Sequence, residues 1–240
     1  MLRLVVFLAV VVVAMTLGER PAEAQPPPRD LMARLGTYAE RFETLRKRAS
    51  YLVDAELDSV DGAGRPSSIK KGRARVTSDG KDSTLSILSY FEDGEDKTAD
   101  AQKKLRESRA EQARHPSAPK RAWRMPFHPD EQPRYWFDVV EVDPKNPAHV
   151  RISFVPKIKE DDTIEGSAWV DVPSGTLLSA GFKMSRPPSL VDSVSVRMSF
   201  GERTSLGPAP SRIEVEARGG FLFVHKHYRG EAVLSHYSII

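Results

Sequence analysis

The sequence predicts a single, mainly β domain: one curled antiparallel sheet of about ten or eleven strands, covered by an N-terminal amphipathic helix and a second helix. Three observations point there. Apolar residues alternate with polar ones over most of the chain beyond Tyr51, the period of a half-buried strand. Turn signals recur between these runs, among them Asp79-Gly80, Pro173-Ser174-Gly175, Gly207-Pro208 and Gly230, and short connections imply antiparallel neighbours. Before them, Leu31, Leu35, Tyr38, Phe42, Leu45, Ala49 and Leu52 recur at steps of four and three, which places them on one side of a helix.

Taken in order, residues 1–24 read as an export signal. Arg3 supplies the positive start, Leu4 to Leu17 is almost wholly apolar, and Ala22-Glu23-Ala24 offers small residues for cleavage, so the mature chain is expected to begin at Gln25 and to occupy residues 25–240 as one domain. The apolar run is shorter than the about 20 residues a spanning helix needs. The chain has no cysteine, which excludes both disulfides and a lipidated cysteine, so a core must supply the stability. Pro26-Pro27-Pro28 is a stiff leader, and Asp30 is the expected N-cap of the first helix.

Strands are expected at Ile69–Thr77, Thr84–Phe91, Tyr135–Val142, His149–Val155, Ile164–Asp171, Thr176–Ser185, Val191–Phe200, Ser211–Ala217, Phe221–Tyr228 and Glu231–Ile239, after a first one from about Tyr51 to Asp61. A polar helix fits Thr98 to Arg114, and the proline-punctuated stretch from His115 to Pro133 reads as a lid-like or flexible connection. The strands are two-faced. Leu178, Ala180, Phe182 and Met184 oppose Ser179, Lys183 and Ser185, while Val194, Val196, Met198 and Phe200 oppose Ser193, Ser195, Arg197 and Ser199. One sheet with an apolar side must lay it on helices, a ligand, or both.

Chemistry-bearing patterns are few. No nucleophile elbow, zinc-protease motif or phosphate-binding glycine loop occurs, so no catalytic residue is assigned and an enzyme is not expected. The pair Gly62-Ala63-Gly64 lacks a third glycine and a following helix, and Glu160, Asp161 and Asp162 read as a solvated turn. His225 and His227 share a strand face, and a tight turn at Arg229-Gly230 would bring His236 diagonal to His225; imidazoles at a solvated rim outweigh a zinc set, and no metal or cofactor is called. Thirty-six Lys and Arg against 33 Asp and Glu leave a net charge of +3, without the basic, aromatic-studded platform that nucleic acid would require.

The segment from about Arg124 to Tyr237 resembles the LolA/LolB-like superfamily, the outer-membrane lipoprotein-sorting proteins of the Gram-negative periplasm. The residues that carry the likeness are Phe127–Pro129 with Arg134–Val139, Gly166–Pro188, Val194–Gly201 and Gly219–Arg229. The resemblance implies an open, eleven-stranded half-barrel capped by helices, with an apolar cavity that receives lipoprotein acyl chains, and a periplasmic location. On that reading the cavity is lined by Leu35, Tyr38, Phe42 and Leu45 from the helix and by Phe154, Phe182, Met184, Val196, Met198, Phe200, Phe221 and Phe223 from the sheet. The expected partner is a lipid or acylated lipoprotein, with transient membrane contact. The alternative is an envelope interaction or stress-sensing protein whose cavity is plugged by its own helix and which binds a protein.

Overall fold

The computed structural model describes residues 25–61, 65–80, 82–115, 124–187, 191–221 and 224–240. The export signal, the Gly62-Ala63-Gly64 pair and Phe223 therefore lie outside the described residues, as do the side chains of Phe221 and His225.

Helix α1 (Arg29–Lys47) leads into β1 (Ala49–Val60), β2 (Pro66–Ser78), β3 (Ser83–Glu92) and the two-residue β4 (Glu95–Asp96). Helix α2 (Thr98–Arg114) follows, then a 3-10 turn (Gln132–Arg134) and β5 (Tyr135–Val142), β6 (His149–Pro156), β7 (Ile164–Asp171), β8 (Thr176–Met184), β9 (Val191–Thr204), β10 (Gly207–Phe221) and β11 (Val224–Ile239). All eleven strands form one antiparallel sheet in the order β4-β3-β2-β1-β11-β10-β9-β8-β7-β6-β5. It stays open rather than closing into a barrel, because β4 and β5 stand at opposite edges. The expected curled antiparallel sheet with two helices is the architecture observed.

Three local expectations are corrected. Helix α1 starts at Arg29 after Pro28, with no side-chain cap; Asp30 instead pairs with Arg34 at 2.9 Å one turn on. The glycines at 219–220 and 230 do not end strands. Gly230 lies inside β11, in register with Leu57 on one side and Val215 on the other, where the absent side chain leaves room for Leu57: a Cβ on Gly230 would stand 3.2 Å from Leu57 Cδ1. One strand thus replaces the expected hairpin, His236 is carried along β11 instead of folding back beside His225, and among the described residues no group of metal-binding side chains forms. Finally, residues 124–133 of the supposed lid are tied down. Met125 and Phe127 are buried in the core, and Arg134 fastens the 3-10 turn to the β6–β7 connection through Glu131 (2.6 Å), Glu160 (2.5 Å) and Asp162 (2.8 Å).

The sheet is amphipathic from β1 across to β5, and register makes this concrete. One row reads Leu57, Gly230, Val215, Val196, Phe182, Gly166, Phe154, Phe137, and the adjacent same-face row reads Ala55, Ala232, Ile213, Met198, Ala180, Ala168, Ile152, Val139. Helix α1 lies on the β5–β10 part of this face. Leu31, Leu35, Tyr38 and Ala39 are buried together with Met125, Phe127, Tyr135, Ile152, Phe154, Ala168, Val170, Leu177 and Phe200. A second cluster of Leu45, Ala49 and Ala209 continues toward stacked Tyr51 and Tyr237, whose rings are 4.8 Å apart. Helix α2 has no buried residue. It guards the β3 edge, where Gln102 donates to the Ile87 carbonyl at 3.0 Å and Arg109 to the Leu85 carbonyl at 2.6 Å. Such cover keeps an exposed strand edge from pairing with another chain.

Candidate functional site

Of the residues that sequence reading placed around an apolar cavity, Leu35, Tyr38, Phe42, Leu45, Phe154, Phe182, Met198 and Phe200 pack in the clusters between α1 and the sheet. Leu35 is fully buried at 0% exposure, and Tyr38, Leu45, Phe154 and Phe200 are buried as well. The Phe200 ring meets Tyr38 edge-on at 6.3 Å and Phe42 at 6.1 Å, and Phe154 meets Phe127 at 5.7 Å. Phe42, Phe182 and Met198 are half-buried and pack against this core; Met184 and Val196 are half-buried too. The Tyr38 hydroxyl donates to the Pro208 carbonyl at 2.8 Å, and burial pushes its ionisation well above the ordinary tyrosine range. These contacts fill the seat with matched side chains, and the hollow beside them, bounded by Ala39, Phe42, Arg46, Met125 and His128, is only about 10 Å³, too small to admit an acyl chain.

Electrostatics hold the helix in the same place. Glu43 projects from α1 into a cluster in which its carboxylate lies 2.6 Å from Lys47 Nζ, 3.1 Å from Arg124 Nε and 3.1 Å from His128 Nε2. The hydrogen bond from Lys47, aided by the charge of Arg124, holds the Glu43 carboxyl below the usual carboxylate range. His128 is buried, and Gln132 adds hydrogen bonds to the carbonyls of Met32 (3.0 Å) and Phe127 (2.8 Å).

Beyond the helix, the same apolar face runs on over β1, β10 and β11. There Leu57 is 41% and Val215 36% exposed.

A hollow of about 850 Å³ lies on the opposite, charged face. It is bounded by Ser89 and Phe91 of β3 at one end and Ser195 and Arg197 of β9 at the other, with β2, β1, β11 and β10 between. Its walls are laddered with charge. Arg73 pairs with Asp54 at 3.2 Å, Lys71 with Glu56 at 2.9 Å, and Arg212 with Glu231 at 2.6 Å. Arg218 chiefly, with His227, holds the Glu216 carboxyl below its ordinary range. A second hollow of about 310 Å³ adjoins it, sharing Arg197 and Glu214 and extending over β8, β7 and β6 to Ser179, Ser167, Trp169 and Arg151. The sequence marked these residues only as a water-facing side. Nothing local signals the trough, because it is assembled from strands far apart in the chain.

No protein-family model matches the chain, and no curated protein does. Among solved structures it is similar to a DUF1329 family protein from Desulfovibrio piger, with 11% identity, coverage of 87% of this chain and 92% of that one, and a TM-score of 0.40. It is also similar to a chain of the Pseudomonas aeruginosa MucA/MucB complex, at 11% identity over 86% of this chain and 94% of that one with a TM-score of 0.24. A chain from the complex of MucB with MucA(peri) is 7% identical over 82% and 93%, with a TM-score of 0.21.

Proposed function

We propose that this chain is an exported, non-enzymatic protein of the bacterial envelope that works by binding another protein, its apolar hollow being occupied by its own first helix. The observation that carries this reading is the seat of α1, where Leu31, Leu35, Tyr38, Ala39 and Leu45 are buried against the sheet and adjoining segments. Cargo entering there would have to displace the helix and break the Glu43 cluster, at a cost of about 1.5–3 kcal/mol for each large apolar side chain exposed. The leader of residues 1–24 supports export to the periplasm.

A second reading, carriage of a lipid or acylated lipoprotein, draws on the exposed Leu57 and Val215, which offer a shallow apolar shelf past the end of the helix. Native mass spectrometry of the chain recovered from its own envelope separates the two. The first reading expects the mature chain with a stoichiometric polypeptide partner and without lipid; a copurified lipid lost on Leu57→Asp with Val215→Asp would establish the second and overturn the first.

A further inference from the structure

We propose that the smaller hollow over β6–β10 binds the phosphate group of a ligand whose remainder lies along the adjoining trough. Its lining contains three arginines, Arg151, Arg197 and Arg212, against one carboxylate, Glu214. The arginines are not equally engaged. Arg151 is held by Glu141 at 2.6 Å and lies over the Trp169 ring at 5.9 Å from its centre, and Arg212 is bound to Glu231 at 2.6 Å and Glu214 at 3.3 Å. Arg197 is 83% exposed, and its nearest carboxylate oxygen, on Glu214, is 3.9 Å away. Its guanidinium is the group with donors to spare.

Hydroxyls complete the set. Register places Ser167, Gly181 and Arg197 side by side on neighbouring strands, with Trp169, Ser179, Ser199 and Arg212 in the next same-face row. Gly181 sits in the middle, and a Cβ there would meet nothing within 4 Å, so the strand backbone at the centre of the hollow is open. A guanidinium fork and several hydroxyl donors around a small open floor suit a phosphate, whose oxygens accept from several directions at once. The hollow shares Arg197 and Glu214 with the 850 Å³ trough, which gives the rest of a phosphate-bearing molecule somewhere to lie. The phosphate could belong to a lipid headgroup or to a soluble phosphosugar; the chemistry recognised is the same. This proposal is independent of the protein-partner reading, since it concerns the other face and is tested on the isolated chain.

The test is calorimetric titration of the mature chain with glucose 6-phosphate in one arm, and sedimentation with vesicles of phosphatidylcholine containing about one-fifth phosphatidylglycerol in the other, with pure phosphatidylcholine vesicles as the blank. Binding in either arm that weakens tenfold or more in Arg197→Gln, and again in Ser167→Ala with Ser179→Ala, but stays unchanged in the equally charge-reduced Lys145→Gln, supports the site; the arm that responds names the source. Because Arg197 is so exposed, its variant should keep the parent melting temperature. Absence of binding in both arms, or binding that Arg197→Gln and Lys145→Gln weaken equally, overturns it.

Discussion

Leu35→Ala is the substitution that most sharply separates a helix that fills the hollow from a helix that covers it. Leu35 is 0% exposed and belongs to the core of α1, the 125–135 segment and β6–β9. Removing three carbons forfeits about 2.4 kcal/mol of transfer free energy at ~0.8 kcal/mol per methylene, and the void left behind raises the cost to about 3–4 kcal/mol, within the usual range for buried leucines. For a domain of this size each kcal/mol moves the midpoint by about 2–4 °C, so thermal unfolding followed by circular dichroism should show a melting temperature lower by roughly 6–16 °C on the same scale. A lid that merely shelters cargo would behave otherwise. A variant that melts within about 2 °C of the parent, no more than about 1 kcal/mol would produce, would refute the packing argument.

Three further outcomes follow from the same contacts. Glu43 has a depressed carboxyl in the folded chain, so the stability it contributes is present above its unfolded value near pH 4.3 and is lost as pH falls through the lower folded value; urea unfolding should therefore show the parent more stable than Glu43→Gln at pH 7, with the gap closing toward pH 3, and a gap that widens on acidification would contradict this assignment. Gly166→Ala puts a Cβ inside the shell of the Gly181 carbonyl oxygen and 2.7 Å from Phe182 Cα, which overpacks two strands and should destabilise by about 3 kcal/mol, read as a lowered urea midpoint. Gly175→Ala should also destabilise, since φ is +65° there and the new methyl would collide with Arg34 of α1; a neutral result in chemical unfolding would show that the β7–β8 turn yields freely.

The parts of this fold legible in sequence are those fixed by neighbours close along the chain. The step of four and three in α1 holds from Leu31 to Leu45, whereas Ala49 and Leu52, expected on the same helix, belong to β1 because the helix ends at Lys47; the termini of α2 at Thr98 and Arg114 and the strands β5 and β7 emerge where periodicity and turn residues place them. Gly230 misled, because a glycine reads as a turn signal unless one knows that Leu57 of a distant strand needs its space, and Gly219 and Gly220 misled because β10 runs through them to Phe221. The burial of Phe127 and His128 and the grip of Arg124 and His128 on Glu43 join segments about 80 residues apart, a pairing no local pattern encodes. The charged trough was hidden for the same reason. Alternation announces a polar face, while the hollow on it is lined by residues that β1, β11, β10 and β9 bring together from distant parts of the chain.

The most direct trial of the permanently filled hollow is hydrogen exchange followed residue by residue along α1. If the helix is core, amides from Leu35 to Leu45 exchange as slowly as those of β9 and β10, through opening of the whole domain. Exchange of that stretch many times faster than the sheet, with the sheet still protected, would mark α1 as a lid that opens on its own and would contradict the account.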